Sequence, residues 1–341
     1  MARVKTITIA GGGLAGLSLG IALLQGDVPV VLHEAGTYPR HRVCGEFISG
    51  LTDEVAERLD ISDTLSDALS HSTTSWFVRN HRILNATLPV AARSISRYRL
   101  DQRLQKKFIS YGGQLHENSR LKPSSAEGMV WTAGRVAEKD SPWLGLKIHL
   151  RNLPVAQDLE MHAGGGAYVG ITPIEDGYVN VCGLFKRRSD ATGSGLALLI
   201  DYLRGARLTQ LADHLSSAEP NTDSFTGISA FTFGRQSHAK DVCALGDAES
   251  MIPPFTGNGM TMAFESADTA LPHLLDYAQN AAGWAETMHR IQSALHTRFK
   301  GRLRYANLLH PFLYTRPGQT TLSALAKTHL LPFGLLYRAL R

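Results

Sequence analysis

Three glycines, Gly11, Gly13 and Gly16, stand in a G-x-G-x-x-G spacing directly after an apolar run, Ile7 to Ala10. That spacing suits one chemistry, the holding of a dinucleotide pyrophosphate. Gly11 turns the chain off a strand, Gly13 leaves room for phosphate beside the backbone, and Gly16 lets a helix pack close to the sheet. Leu14 and Ala15 open that helix, whose free N–H groups and positive dipole end face the phosphates. Glu34, 18 residues beyond Gly16 and followed by Ala35, closes the next apolar run and can accept hydrogen bonds from ribose hydroxyls. The unit alone leaves NAD and FAD open, and a Gly-rich turn in an ordinary α/β protein is the plain alternative. Acid–base chemistry has fewer candidates. Lys147 and His149 share one face of WLGLKIHL, Glu46 is a third group, and a solvated strand face explains the Lys–His pairing equally well. No Ser–His–Asp order, zinc spacing, P-loop, CxxC or second Gly-rich nucleotide unit is visible.

The elements that position these groups come from scattered parts of the chain. Apolar strands of the buried, parallel kind are predicted at Ile7 to Ala10, Val28 to Leu32, Met129 to Ala133 and Val242 to Leu245. Between them lie segments of the antiparallel kind: Trp76 to Leu88, Trp143 to Leu150, Gly166 to Thr172 and Tyr178 to Phe185, the last two joined by an Asp176-Gly177 turn. Helices are predicted over 95–109, 196–215 and 261–277, with short ones within 51–69. The tail after Gly283 reads as helical, with breaks at Pro311, Pro317-Gly318 and Pro332.

Composition supports a substantial core, with 43% hydrophobic residues in 341. Three cysteines without metal-ligand spacing argue for a reducing compartment. With no signal-like start and no long apolar run, the expected location is cytoplasmic. The net charge of +5 is uneven: from Thr287 to Arg341 there is no Asp or Glu but there are nine Lys or Arg, and the remainder carries −4. Such a tail is a solvated helical surface or, since LLHPFLY and LLPFGLLYRAL set apolar beside basic residues, a membrane-surface contact. Nucleic acid is not an expected partner, because no known module is visible.

Four motifs, taken in order, resemble the flavoprotein superfamily of para-hydroxybenzoate hydroxylase, and within it the geranylgeranyl-reductase-like branch. They are the Gly-rich unit; Pro39 to Glu46 (PRHRVCGE), similar to a PR-x-K-x-CGE stretch; Arg97-x-x-Leu100-Asp101-x-x-Leu104; and Gly246-Asp247-Ala248 followed by Pro254-Phe255-Thr256-Gly257-Asn258-Gly259-Met260. The last pairing decides for FAD. The resemblance implies that Asp247 accepts from the ribityl chain or ribose, that Pro254 to Met260 present a helix mouth to the flavin N1–C2=O edge, and that Arg42 and Arg97 offset pyrophosphate charge or neighbour the flavin. Gly166 to Pro173 is similar to the branch's substrate-sheet strands; its alternation puts Tyr168, Gly170 and Thr172 on one side, which lines the substrate pocket or is ordinary sheet packing, and Lys147 is a further substrate-side candidate. The loop's likeness to that of the reductases makes the Cys44 thiol a proton donor or a small packing residue. The interval from Gly113 to Met129 is shorter than the family's β-meander, which leaves one side of the FAD domain more open.

The implied architecture is an α/β, Rossmann-like FAD-binding domain (1–75, 95–142 and 236–283) with an inserted antiparallel β-sheet substrate domain (76–94 and 143–235) and a helical basic C-terminal region (284–341). The missing second nucleotide unit disfavours two-dinucleotide disulfide reductases and suits NAD(P)H docking transiently as electron donor. The absent WxWxIP stretch sets halogenases aside. Two reactions remain for an aromatic or lipophilic small molecule: flavin monooxygenation, and reduction of an isoprenoid or other double bond. A FAD-binding protein without turnover is the alternative from another class.

Overall fold

The computed structural model describes residues 3–237 and 242–341; residues 238–241, within the 236–283 stretch, lie outside the described residues. In its first third the chain forms β1 (Ile7–Ala10), α1 (Leu14–Gln25), β2 (Val30–His33), β3 (Phe47–Ile48), α2 (Asp53–Arg58), β4 (Leu69–Val78), β5 (His81–Ser94) and α3 (Arg97–Ser110). Next come β6 (Gln114–His116), β7 (Met129–Trp131), β8 (Trp143–Arg151), β9 (Leu159–Gly164), β10 (Ala167–Pro173), β11 (Val179–Lys186), α4 (Gly195–Gly205), α5 (Thr209–Ser216) and β12 (Glu219–Ser229). Last are β13 (Gly234–Arg235), β14 (Cys243–Ala244), β15 (Ser250–Met251), α6 (Gly259–Ala278), α7 (Trp284–Leu309), α8 (Pro311–Tyr314), α9 (Arg316–Lys327) and α10 (Phe333–Ala339).

The parallel sheet has the order β14-β7-β1-β2-β6, so its strands come from the N-terminus, from residues 114–131 and from residues 243–244. Its core is aliphatic. Ile7, Ile9, Leu17, Ile21 and Leu32 are fully buried and pack with α3, α6 and α7 through Leu104, Phe108, Phe264 and Leu295. The helix α1 is apolar around its whole circumference because it is covered on all sides, as its ten buried residues show.

The second sheet has the order β12-β8-β11-β10-β9-β4-β5-β3. It was expected to be antiparallel and is mixed: β4 pairs with β9 in parallel. The hairpin β4–β5 and the antiparallel group β8–β11, in which β8 pairs with β11, are separate excursions of the chain. Their edge strands meet running the same way, and no hairpin forces them to oppose. Strand alternation divides the faces. Val169, Ile171, Val181 and Phe185 pack on α4 and α5, whereas Tyr168, Gly170 and Thr172 face the other way, into the molecule. Two of this sheet's strands, β3 and the start of β4, lie upstream of residue 76.

The Leu196 to Leu215 stretch is two helices rather than one, because Arg207 takes a left-handed φ of 61° between them. Pro317 does not break the tail; it sits in the first turn of α9, where its missing N–H has no helical partner to lose. Among the described residues no helix is long and apolar enough to cross a membrane. The α6–α7 contact buries Arg302, whose guanidinium bonds to Glu265 at 2.6 Å.

Candidate functional site

One cavity of about 1170 Å³ runs between the two sheets and under the tail helices. That is larger than the range typical of a single drug-sized ligand. Its first end is the Gly-rich turn. Gly11 has φ +114°, and a Cβ there would strike the Ala133 backbone at 2.5 Å. Gly16 is pressed against the Gly11 carbonyl and lies off the cavity, so its role is packing. Gly13 lines the cavity, and nothing stands within 4 Å of where its Cβ would be. It is also the N-cap of α1 and makes no side-chain cap, which leaves the first N–H groups of the helix facing open space.

Glu34 closes this end. Its carboxylate accepts from Gly12 N at 2.8 Å and Gly36 N at 3.0 Å, and Arg40 Nη2 bonds it at 2.5 Å. Burial pushes its pKa up, but Arg42, Arg40 and the two backbone bonds outweigh that, so the group is held below the ordinary carboxylate value. Arg40 and Tyr38, whose hydroxyl donates to Gly12 O at 2.5 Å, have parts here that sequence reasoning missed. The signal for Arg40 was the basic character of PRHR; for Tyr38 there was none. Asp101 is a third. It accepts from Arg42 Nε at 2.9 Å and from Arg97 Nε and Nη2 at 2.7 and 2.9 Å, and so aims both arginines at the cavity. Its i, i+4 spacing from Arg97 was the available clue.

Several polar atoms here are buried and lack a partner: Arg40 Nε, Arg42 Nη2 and Arg135 Nε. Asp247 presents its carboxylate to the cavity while protein encloses it; burial raises its pKa, against the pull of Arg97 and Arg135. Guanidinium N–H groups left without hydrogen-bond partners beside an uncapped helix N-terminus, and an enclosed acceptor beyond them, are what a pyrophosphate joined to a polyol chain would satisfy. The residues therefore fit FAD. At the second helix mouth, Gly257 takes φ +65° and α6 begins at Gly259 without a side-chain cap. Pro254, Gly257, Gly259 and Met260 line the cavity; Asn258 does not, and its side chain bonds back to Thr256 O at 3.0 Å. Residues Ser119 to Pro123, in the short interval after β6, also line it, so this side is walled by that segment and not by a meander.

The acid–base candidates separate. Cys44 lines the cavity, and burial raises its thiol pKa against the nearby Arg97 charge, so it is protonated at neutral pH. Glu46, Lys147 and His149 do not line it. Lys147 and His149 do share a face, but the Pro39 to Glu46 loop covers that face, and both are buried. Glu46 accepts from His149 Nε2 at 2.6 Å, from Lys147 Nζ at 3.3 Å and from Arg97 N at 2.9 Å. Burial raises the Glu46 pKa, but His149 and Lys147 outweigh it and the net shift is downward. The solvated-face reading is thus corrected to a buried charge cluster, and Lys147 does not reach the substrate space: its ammonium is spent on Glu46 and, at 3.3 Å, on His41 Nδ1.

Tyr168, Gly170 and Thr172 all line the cavity. Thr172 Oγ1 is bonded to Asp158 O at 2.9 Å, while the Tyr168 hydroxyl is buried beside the Phe255 backbone N–H without a well-aligned hydrogen bond, and its own O–H has no acceptor. Burial raises the phenol pKa well above its usual value, so it stays neutral. Beside it lies His310, ringed by Trp143, Phe233, Phe255 and Tyr314, with Nε2 also unpartnered and its pKa pushed down to about 4 by burial. The far end of the cavity is apolar: Trp76, Leu88, Met161, Leu313, Leu322 and Phe333.

No protein-family model and no curated protein sequence matches this chain. Solved structures do. Pseudomonas aeruginosa PqsL in complex with 2-aminobenzoylacetate is 16% identical, with 93% of this chain and 98% of that one covered and a TM-score of 0.75. The flavin-dependent brominase Bmp2 is 14% identical over 98% and 92%, with a TM-score of 0.76. A geranylgeranyl bacteriochlorophyll reductase-like protein from Thermoplasma acidophilum is 15% identical over 99% and 96%, also at 0.76.

Two substitutions test the cradle. Gly13→Ala should leave the melting temperature nearly unchanged yet weaken FAD binding by tenfold or more, since only a ligand occupies that space. Gly16→Ala should instead destabilise the fold by about 1–3 kcal/mol in denaturant unfolding. For the buried cluster, Glu46→Gln should cost about 3–5 kcal/mol at neutral pH, as an orphaned buried charge does. The wild-type Glu46 pKa lies below its ordinary 4.5, so that advantage is complete above pH 4.5 and fades as pH falls through the lower folded value. A gap that persists unchanged in acid would contradict it. The extent of the likeness, nearly the whole chain against proteins of nearly equal length, gives the chain the fold of the FAD-dependent monooxygenases, halogenases and geranylgeranyl-reductase-like flavoproteins.

Proposed function

We propose that this protein is an FAD-dependent oxidoreductase, foremost a single-component monooxygenase that takes electrons from a transiently docked NAD(P)H and acts on an aromatic or lipophilic small molecule. The observation that carries it is one cavity joining a dinucleotide cradle to an apolar chamber. Bound FAD would supply the redox chemistry, including activation of oxygen or transfer of hydride. Gly11, Gly13, Glu34, Arg42, Arg97, Asp247 and the mouth of α6 would hold it. The N-terminal end of α6 would offset negative charge on a flavin bound at its mouth and so favour the reduced form.

The chain's own residues do the rest. The leucine- and aromatic-lined chamber excludes water and binds an apolar body. The neutral Tyr168 phenol offers the chamber a hydrogen bond and meets one polar group on the substrate, such as a hydroxyl or carbonyl. His310 holds Tyr168 against Phe255 through ring contacts at 5.6 and 6.0 Å. A specific observation also favours the reductase reading: the protonated Cys44 thiol lies on the cavity wall, where it can deliver a proton to a reduced double bond. Halogenation is not supported by the residues, since the WxWxIP stretch is absent.

Flavin-loaded protein mixed with NAD(P)H, with and without oxygen, over phenols, quinols and prenyl lipids separates the readings. Oxygen uptake stimulated by substrate is expected. Anaerobic loss of a substrate double bond, reduced tenfold or more in Cys44→Ser, would favour the reductase instead; a protein that takes up no flavin sinks both. Tyr168→Phe should weaken binding of a phenolic ligand by about 2- to 10-fold, the net worth of one hydrogen bond, and leave its deoxy analogue unaffected.

A further inference from the structure

The tail has two apolar sides. Leu309, Leu331 and Leu336 line the cavity. The residue before each, Leu308, Leu330 and Leu335, points outward and is 65%, 69% and 70% exposed. These are the three most exposed large hydrophobic residues of the described chain. Each has an exposed cation three or four residues away in sequence: Arg304 before Leu308, Lys327 before Leu330 and Arg338 after Leu335. In α7 and α10 that spacing puts leucine and cation on one side of the helix.

The cations are not committed elsewhere. Of the tail's basic residues, Arg290, Arg298 and Arg302 pair with carboxylates. Lys300, Arg304, Arg316, Lys327 and Arg338 pair with none among the described residues, and residues 287–341 contain no acid to pair with. Single exposed leucines are ordinary on a protein surface. Outward leucines repeated at three places along the tail (the end of α7, the turn after α9, and α10), each beside an unpaired cation and each next to a leucine that lines the cavity, are a more specific pattern. It asks for a partner that is negative at its surface and apolar just below.

We propose that the outer side of the α7–α10 tail docks on an anionic lipid bilayer, with Leu308, Leu330 and Leu335 entering the headgroup–acyl boundary and Arg304, Lys327 and Arg338 meeting lipid phosphates. Charge complementarity selects this partner over a neutral surface, and the mixed apolar–basic pattern is that of an interfacial segment. No described helix can span the bilayer, so the contact is peripheral. Docking would press the lipid phase against the segments that wall the apolar end of the cavity, a useful placement for the lipophilic substrate of the proposed function, on whose reading that consequence rests.

The test uses full-length, flavin-loaded protein and co-sedimentation with vesicles of phosphatidylcholine alone or mixed with phosphatidylglycerol. Binding to the mixed vesicles at low salt is expected, with at least about tenfold less on pure phosphatidylcholine or at high salt. The triple variants Leu308→Ser/Leu330→Ser/Leu335→Ser and Arg304→Gln/Lys327→Gln/Arg338→Gln should each weaken it about tenfold or more while retaining flavin absorbance. Absence of binding to mixed vesicles overturns the proposal. So does a leucine variant that binds like wild type, or a dimer in size-exclusion chromatography that the leucine variant abolishes without vesicle binding. Substrate-stimulated oxygen uptake on a water-soluble phenol, measured without vesicles, reports on the enzymatic reading separately.

Discussion

The Glu46 carboxylate, buried between Lys147 and His149, is the interaction on which the site's geometry depends. It joins three pieces that local structure would leave independent: the Pro39 to Glu46 loop, strand β8 of the mixed sheet, and the first turn of α3, whose Arg97 N–H it accepts. Its own backbone takes a left-handed φ of 53°, which a non-glycine residue keeps only where the surroundings over-determine it. The residues on either side of this anchor line the cavity: Arg40 to Gly45 before it and Phe47 after it. Moving the anchor would move the arginines, the thiol and the wall facing Gly257 together.

A second constraint runs through α3. Asp101 receives Arg42 from the loop and Arg97 from its own helix, so the loop's basic residues are fixed from below by Asp101 and from the side by Glu34. The phosphate end of the cavity is thus preorganised by carboxylates that neutralise part of its charge. Arg42 Nη2 and Arg40 Nε remain buried without hydrogen-bond partners. Preorganised donors of this kind bind an anion without first having to be ordered.

Much of this was legible in the sequence, for physical reasons that differ by region. The β1–α1–β2 unit is local, and glycine spacing, apolar periodicity and the closing Glu34 all record it directly. The alternation in Ala167 to Pro173 likewise assigned Tyr168, Gly170 and Thr172 to one face, and that face is the cavity wall. Sequence could not say what covered a face. Lys147 and His149 were correctly placed side by side, yet solvent and a buried carboxylate are equally compatible with that alternation. The choice depended on a loop about a hundred positions away. The parallel β4–β9 pair escaped for the same reason, since strand direction between two excursions is set by tertiary docking and not by either segment.

The tail shows that limit most clearly. Its charge and its apolar runs were both visible, but which leucines point inward was not, because LLH, LLP and LLY present adjacent leucines to opposite requirements. In the folded chain one leucine of each pair completes the cavity and the other is left on the outside. A wall one helix thick cannot bury both sides of an apolar stretch. An outward leucine could be replaced by a polar residue without disturbing the cavity, so the inner packing does not require it. The basic residues beside these outer positions are likewise free of partners, while those on α7's inner side, Arg298 and Arg302, are held by Glu265. In the second half of α7 the cations that meet α6 are thus paired, whereas Lys300 and Arg304 are not, and the surface that results is apolar and positive on the outer wall of the chamber proposed to receive substrate.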